Sequence, residues 1–206
     1  MSAFNLPIAW DHLLARHLAR FLARFHVHPN AVTTFCLLSG IGAAYLFSLG
    51  ETVAANWAAA LFMLAAFTDH VDGEVARATG KTSDFGHYYD HFAVGVGYVA
   101  LFIGIGAGER FGPLGNAAIL LGILAGFGVT LIFTIRLGIE LRVGRGSISQ
   151  PNFLGFEPED TLYIVGPVTW LGGLKLFLIA AGIGAPVFLV WVLFDRYRKV
   201  HGGVDK

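Results

Sequence analysis

The sequence predicts an all-α integral membrane protein, with six transmembrane helices preceded by an N-terminal interfacial amphipathic helix. Of its 206 residues, 55% are hydrophobic and only 14% are charged. The mean hydropathy is +0.65. Soluble domains usually contain about 25% charged residues. Several apolar runs also reach the length of about 20 residues at which a helix crosses a bilayer. Composition and run length together exclude a soluble domain.

The charge balance and the cysteine content narrow the function further. The net charge is +0 and the pI is about 7.1, so bulk charge gives no indication of a nucleic-acid partner. Cys36 is the only cysteine, which excludes a disulfide or a cysteine-based metal site within one chain. The first ten residues lack the basic start and the small-residue cleavage site of a signal peptide, so we expect no removable leader.

Residues 1–30 are predicted to hold the interfacial helix and the entry to the first span. Apolar side chains lie on one face at helical spacing, namely Leu14, Leu18, Phe21, Leu22 and Phe25. Arg16, Arg20 and Arg24 lie on the opposite face. This pattern is typical of a helix that lies in the headgroup region with its apolar face towards the acyl chains. The alternative is a helix packed on a soluble subdomain, for which the sequence offers no other segment.

Six apolar runs, separated by breakers, give the predicted spans within residues 31–200. The first four cover residues 31–49, 52–78, 85–107 and 113–141, and the fourth is long enough to tilt or to emerge into the interface. The last two share residues 161–196 and break near Gly172 and Gly173, although one interrupted span followed by another would fit the same stretch. Residues 201–206 are predicted to form a cytoplasmic tail.

Basic residues set the predicted orientation. In a six-span arrangement one side of the membrane carries nearly all of them, namely Arg16, Arg20, Arg24, Arg77, Lys81, Arg136, Arg142, Arg145, Arg196, Arg198, Lys199 and Lys206. Only Arg110 and Lys175 fall on the other side. By the positive-inside rule the rich side is cytoplasmic, so both termini are predicted to be cytoplasmic. An odd number of spans would scatter these charges across both faces.

Carboxylates occur where the second and third spans approach the cytoplasm. Asp69 and Asp72 share one helical face, and Asp90 lies on the next helix. A carboxylate in the middle of a membrane helix costs about 2.5 to 3.5 kcal/mol, and a bound cation offsets such a cost. Two antiparallel helices can aim all three carboxylates at one point. Hard oxygen ligands of this kind favour Mg²⁺, Mn²⁺ or Ca²⁺ over zinc.

Small residues and an arginine accompany these carboxylates. Gly73 and Ala76 lie beside the first two carboxylates, and Gly86 lies one turn before the third. Their small side chains leave room for a ligand against the backbone. Arg77 offers a planar fork of donors that suits a phosphate group. The pattern indicates a site for a divalent cation and a phosphorylated ligand.

This spacing resembles the signature of the CDP-alcohol phosphotransferase family, Asp-x2-Asp-Gly-x2-Ala-Arg-x8-Gly-x3-Asp-x3-Asp. The chain matches the signature at Asp69, Asp72, Gly73, Ala76, Arg77, Gly86 and Asp90. Pro29, Asn30 and Thr33 resemble the Pro-Asn-x-x-Thr opening of the family's first span. The family also has six spans and an N-terminal interfacial helix, so the resemblance covers nearly the whole chain.

The resemblance implies a membrane phosphotransferase of phospholipid synthesis. Such an enzyme moves a substituted phosphoryl group from a CDP-linked lipid or alcohol to an acceptor hydroxyl, with release of CMP. The resemblance assigns Asp69, Asp72 and Asp90 as ligands for Mg²⁺ or Mn²⁺, with one ion expected and a second left open. It assigns the binding of the donor to Asn30, Thr33, Asp69, Gly73, Ala76, Arg77 and Gly86. The active site is then expected to face the cytoplasm.

One position departs from the signature, because Val94 stands where its last Asp is expected. The family generally assigns that Asp as the base that deprotonates the acceptor, and valine neither binds a cation nor accepts a proton. Two hypotheses follow. Another residue supplies the base, or the chain is a catalytically impaired relative that binds CDP-lipid or nucleotide without turnover.

Two sources for the missing base are present in the sequence. His87 lies one turn before Asp90 on the same face, and we predict catalytic roles for both, whereas His91 points about 100° away. The other source is the acidic run of Glu157, Glu159 and Asp160. The simpler interpretations are a hydrated interfacial histidine and an acidic helix N-terminus.

Other features leave alternatives open. The basic residues Arg136, Arg142 and Arg145 fit either a phosphate-bearing acceptor or anionic headgroups. Gly122 and Gly126 allow close helix approach, either at a homodimer seam or within one bundle. An ion or proton transporter would also explain carboxylates in membrane helices, but not the accompanying glycines and arginine.

Overall fold

A computed structural model describes residues 10–143 and 163–201, and all regular structure in these two ranges is helical. The helices are α1 (Trp10–Arg24), α2 (Pro29–Ser48), α3 (Thr52–Thr79), α4 (Asp84–Glu109), α5 (Ala117–Val143), α6 (Val165–Trp170) and α7 (Leu174–His201). Within the described ranges, 5 helices are long and apolar enough to cross a membrane. The described part of the chain is therefore all-α, and the chain is an integral membrane protein.

The first four predicted spans coincide with α2 to α5, with ends that differ by about four residues at most. The predicted break near Gly172 is also present, because α6 ends at Trp170 and α7 begins at Leu174. Gly172 has a φ of +73°, a left-handed conformation that favours glycine. However, α6 has only 6 residues and is too short to cross a bilayer. The sixth span stays a prediction, since residues 144–162 lie outside the described ranges.

Close contacts between backbones hold α4 against its two neighbours. A Cβ atom added at Gly104 of α4 would overlap the carbonyl oxygen of Ala44 on α2. On the other side, a Cβ atom at Gly122 of α5 would overlap the carbonyl oxygen of Phe102. Gly126 packs on α4 in the same way. The glycine pair of the fourth predicted span therefore serves packing within one bundle, which decides between the two interpretations left open for it.

Helix α1 packs on α3 through small side chains. Ala15 and Ala19 are buried, and they form one apolar cluster with Val71 and Val75 of α3. Large apolar side chains of α1 point away from the bundle and are exposed, namely Leu14, Leu18 and Phe21, as is Phe25 directly after the helix. Most of the predicted apolar face is thus exposed, whereas its member Leu22 packs against the same cluster as Ala15 and Ala19.

Three helix termini meet at one end of the bundle. Helix α3 ends at Gly80, whose φ of +66° turns the chain sharply out of the helix. Ser83 then caps α4, because its Oγ accepts a hydrogen bond of 3.0 Å from the backbone N–H of Gly86. The N-terminus of α2 is capped by His28, whose Nδ1 accepts from the N–H of Asn30 at 3.2 Å. The last turn of α3 therefore lies beside the first turns of α2 and α4.

We predict that Gly104→Ala destabilises the bundle by about 1 to 3 kcal/mol, because the added methyl group overlaps the backbone of α2. Thermal unfolding in detergent measures the effect. The matched control is Gly97→Ala on the same helix, where an added Cβ atom would meet nothing within 4 Å. Equal unfolding temperatures for the two variants would contradict the proposed packing.

Candidate active site

Three carboxylates converge at the end of the bundle where the three helix termini meet. Asp69 and Asp72 project from α3 and Asp90 projects from α4. One oxygen from each lies within 4.8 Å of the others. The spacing of these residues along the sequence predicted this convergence, and the antiparallel packing of the last turns of α3 on the first turns of α4 produces it.

Neighbouring residues hold the carboxylates in different ways. Asp72 is only 5% exposed, and its Oδ2 accepts a hydrogen bond of 2.5 Å from Oγ1 of Thr33 on α2. One oxygen of Asp90, Oδ1, is buried and has no hydrogen-bond partner within the described ranges. A buried carboxylate oxygen without a donor is costly unless a ligand satisfies it.

A cavity of about 480 Å³ opens beside the carboxylates. Its walls are formed by Pro29, Asn30, Thr33, Asp72, Gly73, Ala76, Arg77, Lys81, Thr82, Ser83, Gly86, His87 and Asp90. All the residues predicted from the sequence to bind the donor, except Asp69, line this cavity. Its volume lies in the range of about 300 to 1,000 Å³ that is usual for small-molecule sites.

Asp69 instead lines a smaller and mostly apolar cavity of about 40 Å³. Val94, His70 and Tyr163 line the same cavity, and the rings of His70 and Tyr163 stack with centroids 6.5 Å apart. Asp69 is therefore placed between the two cavities, with its carboxylate beside the others and its surroundings apolar. Val94 lies on the apolar side of this boundary.

His87 lines the larger cavity together with Asp90, as their spacing predicted. Its Nε2 atom is buried and has no hydrogen-bond partner among the described residues. His91 is absent from the described lining of that cavity, which agrees with its different direction on the helix. His87 therefore contributes to the wall of the larger cavity.

Arg77 is held at the wall of the cavity by a residue that sequence patterns did not single out. A terminal nitrogen of Arg77 lies 2.9 Å from Oε1 of Glu74, and Nε of Arg16 lies 3.3 Å from the same oxygen. Glu74 is outside the family signature, and although its i, i+3 spacing to Arg77 is a local signal, its contact with Arg16 could be found only from the packing of α1 on α3. The residues of the link, Lys81, Thr82 and Ser83, were also missed, because exposed loop residues carry no periodic signal.

Several residues that the sequence offered as candidates for the site fall outside the described part of the structure. They are Arg142, Arg145, Glu157, Glu159 and Asp160, together with the side chains of Arg136 and Glu140. Their suggested roles stay predictions.

Comparison with known proteins identifies the family. The model of the CDP-alcohol phosphatidyltransferase family matches residues 26–194, which is well over half of the chain and includes all three carboxylates. The chain belongs to the CDP-alcohol phosphatidyltransferase family. Members of this family are transferases of phospholipid synthesis.

Two relatives match this family member in sequence. The chain is 32% identical to archaetidylinositol phosphate synthase of Pyrococcus horikoshii over 91 residues, which cover 44% of this chain and 47% of that protein. The match thus spans about half the length of that relative. The chain is also 28% identical over 195 residues to an uncharacterized protein of Aquifex aeolicus, with 91% of each chain covered.

Two crystal structures of phosphatidylinositol phosphate synthase from Mycobacterium tuberculosis share the fold. The structure with CDP-DAG bound gives a TM-score of 0.62 at 22% identity and covers 85% of this chain and 91% of that one. The complex with manganese and citrate gives a TM-score of 0.59 at 22% identity, with 86% and 88% covered.

The carboxylates of this family member fit a divalent cation. Three oxygen donors within 4.8 Å of one another suit a hard ion such as Mg²⁺ or Mn²⁺. The partnerless oxygen of Asp90 is available to such an ion, and the hydroxyl of Thr33 fixes Asp72 from behind. Hydrogen bonds of this kind orient the ligands of a metal and raise its affinity.

We predict that Thr33→Val lowers the affinity of the protein for Mn²⁺ about ten-fold, because Asp72 loses the donor that orients it. Titration of Mn²⁺ followed by electron paramagnetic resonance measures the affinity. Thr34→Val is the matched control, since the hydroxyl of Thr34 bonds to Tyr89 and to the backbone of Asn30 rather than to a carboxylate. An equal loss in both variants would contradict the orienting role.

Proposed function

We propose that this protein is a metal-dependent phosphotransferase that moves a substituted phosphoryl group from a CDP-linked lipid or alcohol to an acceptor hydroxyl, with release of CMP. The observation that carries the proposal is the convergence of Asp69, Asp72 and Asp90 beside a cavity of about 480 Å³. Family membership supports this class of reaction. The homologous synthase crystallised with CDP-DAG supports a lipid-linked donor.

The residues around the cavity divide the binding of the donor between them. Asp69, Asp72 and Asp90 would hold Mg²⁺ or Mn²⁺, which when bound neutralises charge on the diphosphate and on the leaving CMP. Gly73 and Ala76 give the diphosphate a close approach to the last turns of α3, because they present little or no side chain there. The remaining predicted contacts come from Asn30, Thr33, Arg77 and Gly86, which line the same cavity.

His87 is the base that we propose for the acceptor hydroxyl. The acceptor oxygen forms a bond to the phosphorus on the lipid or alcohol side, and the bond from that phosphorus to the bridging oxygen breaks as CMP leaves. The proton of the hydroxyl passes to Nε2 of His87, which is buried and partnerless beside the cavity. Asp90, one turn away on α4, shares this wall and would keep the cation close to the reacting phosphate.

The second candidate function is a protein that binds the donor without turnover, and the position of Val94 favours it. Val94 lines the smaller apolar cavity beside Asp69, so it supplies neither a ligand nor a base. The same position supports a single cation, because the described carboxylates that converge are three rather than four. If no other residue supplies the base, donor binding persists and CMP is not released.

The charges at the two ends of the bundle support a cytoplasmic site with both termini in the cytoplasm. Arg77 and Lys81 border the cavity, while Arg110 and Lys175 lie at the opposite end, where α4 ends and α7 begins. The exposed apolar face of α1 beside its arginines supports a position in the headgroup region.

The direction of α7 supports the sixth span. Gly182 of α7 packs against Leu121 of α5, and Gly128 of α5 packs against Ala185 of α7. Residue numbers rise together along this contact, so the two helices run in the same direction. Two spans that run in the same direction must be joined by a segment that returns across the membrane. If that segment is a helix, it brings the number of spans from five to six.

We predict that Asp90→Asn lowers the rate of CMP release at least 100-fold, because the cation loses a charged ligand. The measurement uses purified protein in mixed micelles with CDP-diacylglycerol, Mg²⁺ or Mn²⁺ and a panel of acceptor alcohols. Asp84→Asn, which changes an exposed carboxylate in the first turn of the same helix, should retain the wild-type rate. Absence of CMP release by the wild type across the whole panel would reject the enzymatic proposal.

The choice between turnover and binding alone rests on a second pair of variants. We predict that His87→Gln lowers kcat about 100-fold or more and leaves the affinity for CDP-diacylglycerol within two-fold of wild type, because it removes the base only. Val94→Asp in the His87→Gln background should restore part of the rate. If instead the wild type binds without turnover and Val94→Asp alone creates activity, the protein is the impaired relative.

A further inference from the structure

Glu74 connects two arginines that belong to different parts of the protein. Arg16 lies on α1, and Arg77 lies on the wall of the cavity at the end of α3. Both contact the same oxygen of Glu74, at 3.3 Å from Nε of Arg16 and 2.9 Å from the terminal nitrogen of Arg77. The side chain of Glu74 is 11% exposed, whereas those of Arg16 and Arg77 are 45% and 60% exposed.

This arrangement fixes the place of the Arg77 side chain. A long arginine with most of its side chain in solvent would otherwise sample many rotamers, and ordering it costs free energy. Glu74 removes that freedom through one hydrogen bond, and the guanidinium group, which has five N–H donors, keeps the others for a ligand. The group lies beside Gly73, at 3.6 Å from where a Cβ atom of that residue would stand, on the side that lines the cavity.

Arg16 makes the same contact depend on the position of α1. It leaves the helix on the side that packs on α3, next to the buried residues Ala15 and Ala19. Glu74 contacts Arg77 of its own helix, and the packing of α1 adds the second arginine, Arg16. Since the opposite side of α1 carries exposed large apolar side chains, the position of α1 in the membrane and the contact of Arg16 with Glu74 belong to one rigid element.

We propose that Glu74 is a positioning residue that presents Arg77 to the phosphates of the donor, and that Arg16 couples the seating of α1 to this positioning. The inference rests on the proposed function, because it assumes that a CDP-linked donor occupies the cavity. It assigns a function to a residue of α3 that is outside the signature, and it gives α1 a part in substrate binding beyond membrane attachment.

A purely structural role of the two ion pairs is the alternative. Ion pairs in which one partner is largely exposed contribute little to folding stability, so their removal should be tolerated. A structural role predicts equal losses whether or not Arg77 is present. A positioning role predicts that the loss disappears once Arg77 has been removed.

The test is a double-mutant cycle on the full chain, reconstituted in nanodiscs and titrated with CDP-diacylglycerol in the presence of Mn²⁺. We expect Glu74→Gln to weaken donor binding about ten-fold and Arg16→Gln to weaken it about three-fold. In the Arg77→Gln background, Glu74→Gln should change the affinity less than two-fold. Arg20→Gln, an exposed arginine on α1, is the matched control and should match the wild type. Mn²⁺ affinity and thermal unfolding should stay near wild type in every variant.

The outcomes separate this inference from the proposed function. If the wild type fails to bind CDP-diacylglycerol with Mn²⁺, both fail together. If the wild type binds and Glu74→Gln either has no effect or costs the same factor in both backgrounds, only the positioning role of Glu74 is overturned. If Arg16→Gln matches Arg20→Gln, the coupling to α1 is overturned and the contact of Glu74 with Arg77 stands alone.

Discussion

The mutual repulsion of three carboxylates at the end of a membrane helix bundle is the constraint on which the rest of the structure depends. Two unit charges 4.8 Å apart repel each other by about 3 kcal/mol at an effective dielectric constant of about 20. The hydroxyl of Thr33 on α2 donates to Asp72 and offsets part of this cost. Deeper in the bundle, Gly104 and Gly122 bring the backbone of α4 into close contact with those of α2 and α5. This packing fixes the position of α4, which carries Asp90.

The position of the carboxylates along the helices reduces the same cost. They lie in the last turns of α3 and the first turns of α4, beside the turn at Gly80, rather than at the middle of a span. The basic residues Arg77 and Lys81 line the cavity at this end. The CDP-linked donor of the proposed function has a polar nucleotide and an apolar part, and the end of a helix bundle would offer surroundings for both.

The sequence predicts the features that depend on one helix, such as its length and its ends. It misses side-chain contacts that depend on how two helices pack. Helices α2 to α5 were predicted closely, because bilayer thickness sets their length and glycine or proline marks their ends. The convergence of the carboxylates followed from helical periodicity together with the antiparallel packing expected of two spans joined by a short link. The partnership of Glu74 with Arg16 depends on how α1 packs on α3, and the apolar surroundings of Asp69 depend on Tyr163 in a distant segment. No local pattern encodes either contact.

Under the proposed function, charge balance is consistent with valine at position 94. With every group in its charged form, the three aspartates and Glu74 would carry four negative charges and Arg16, Arg77 and Lys81 three positive ones, which gives a net charge of −1. One divalent ion changes this to +1, which attracts a diphosphate. A fourth aspartate would leave the site with one ion neutral, and a second ion would be needed for the same attraction. Replacing that aspartate by valine therefore removes a charge and the need for its counterion together. What it leaves unsupplied is the proton acceptor.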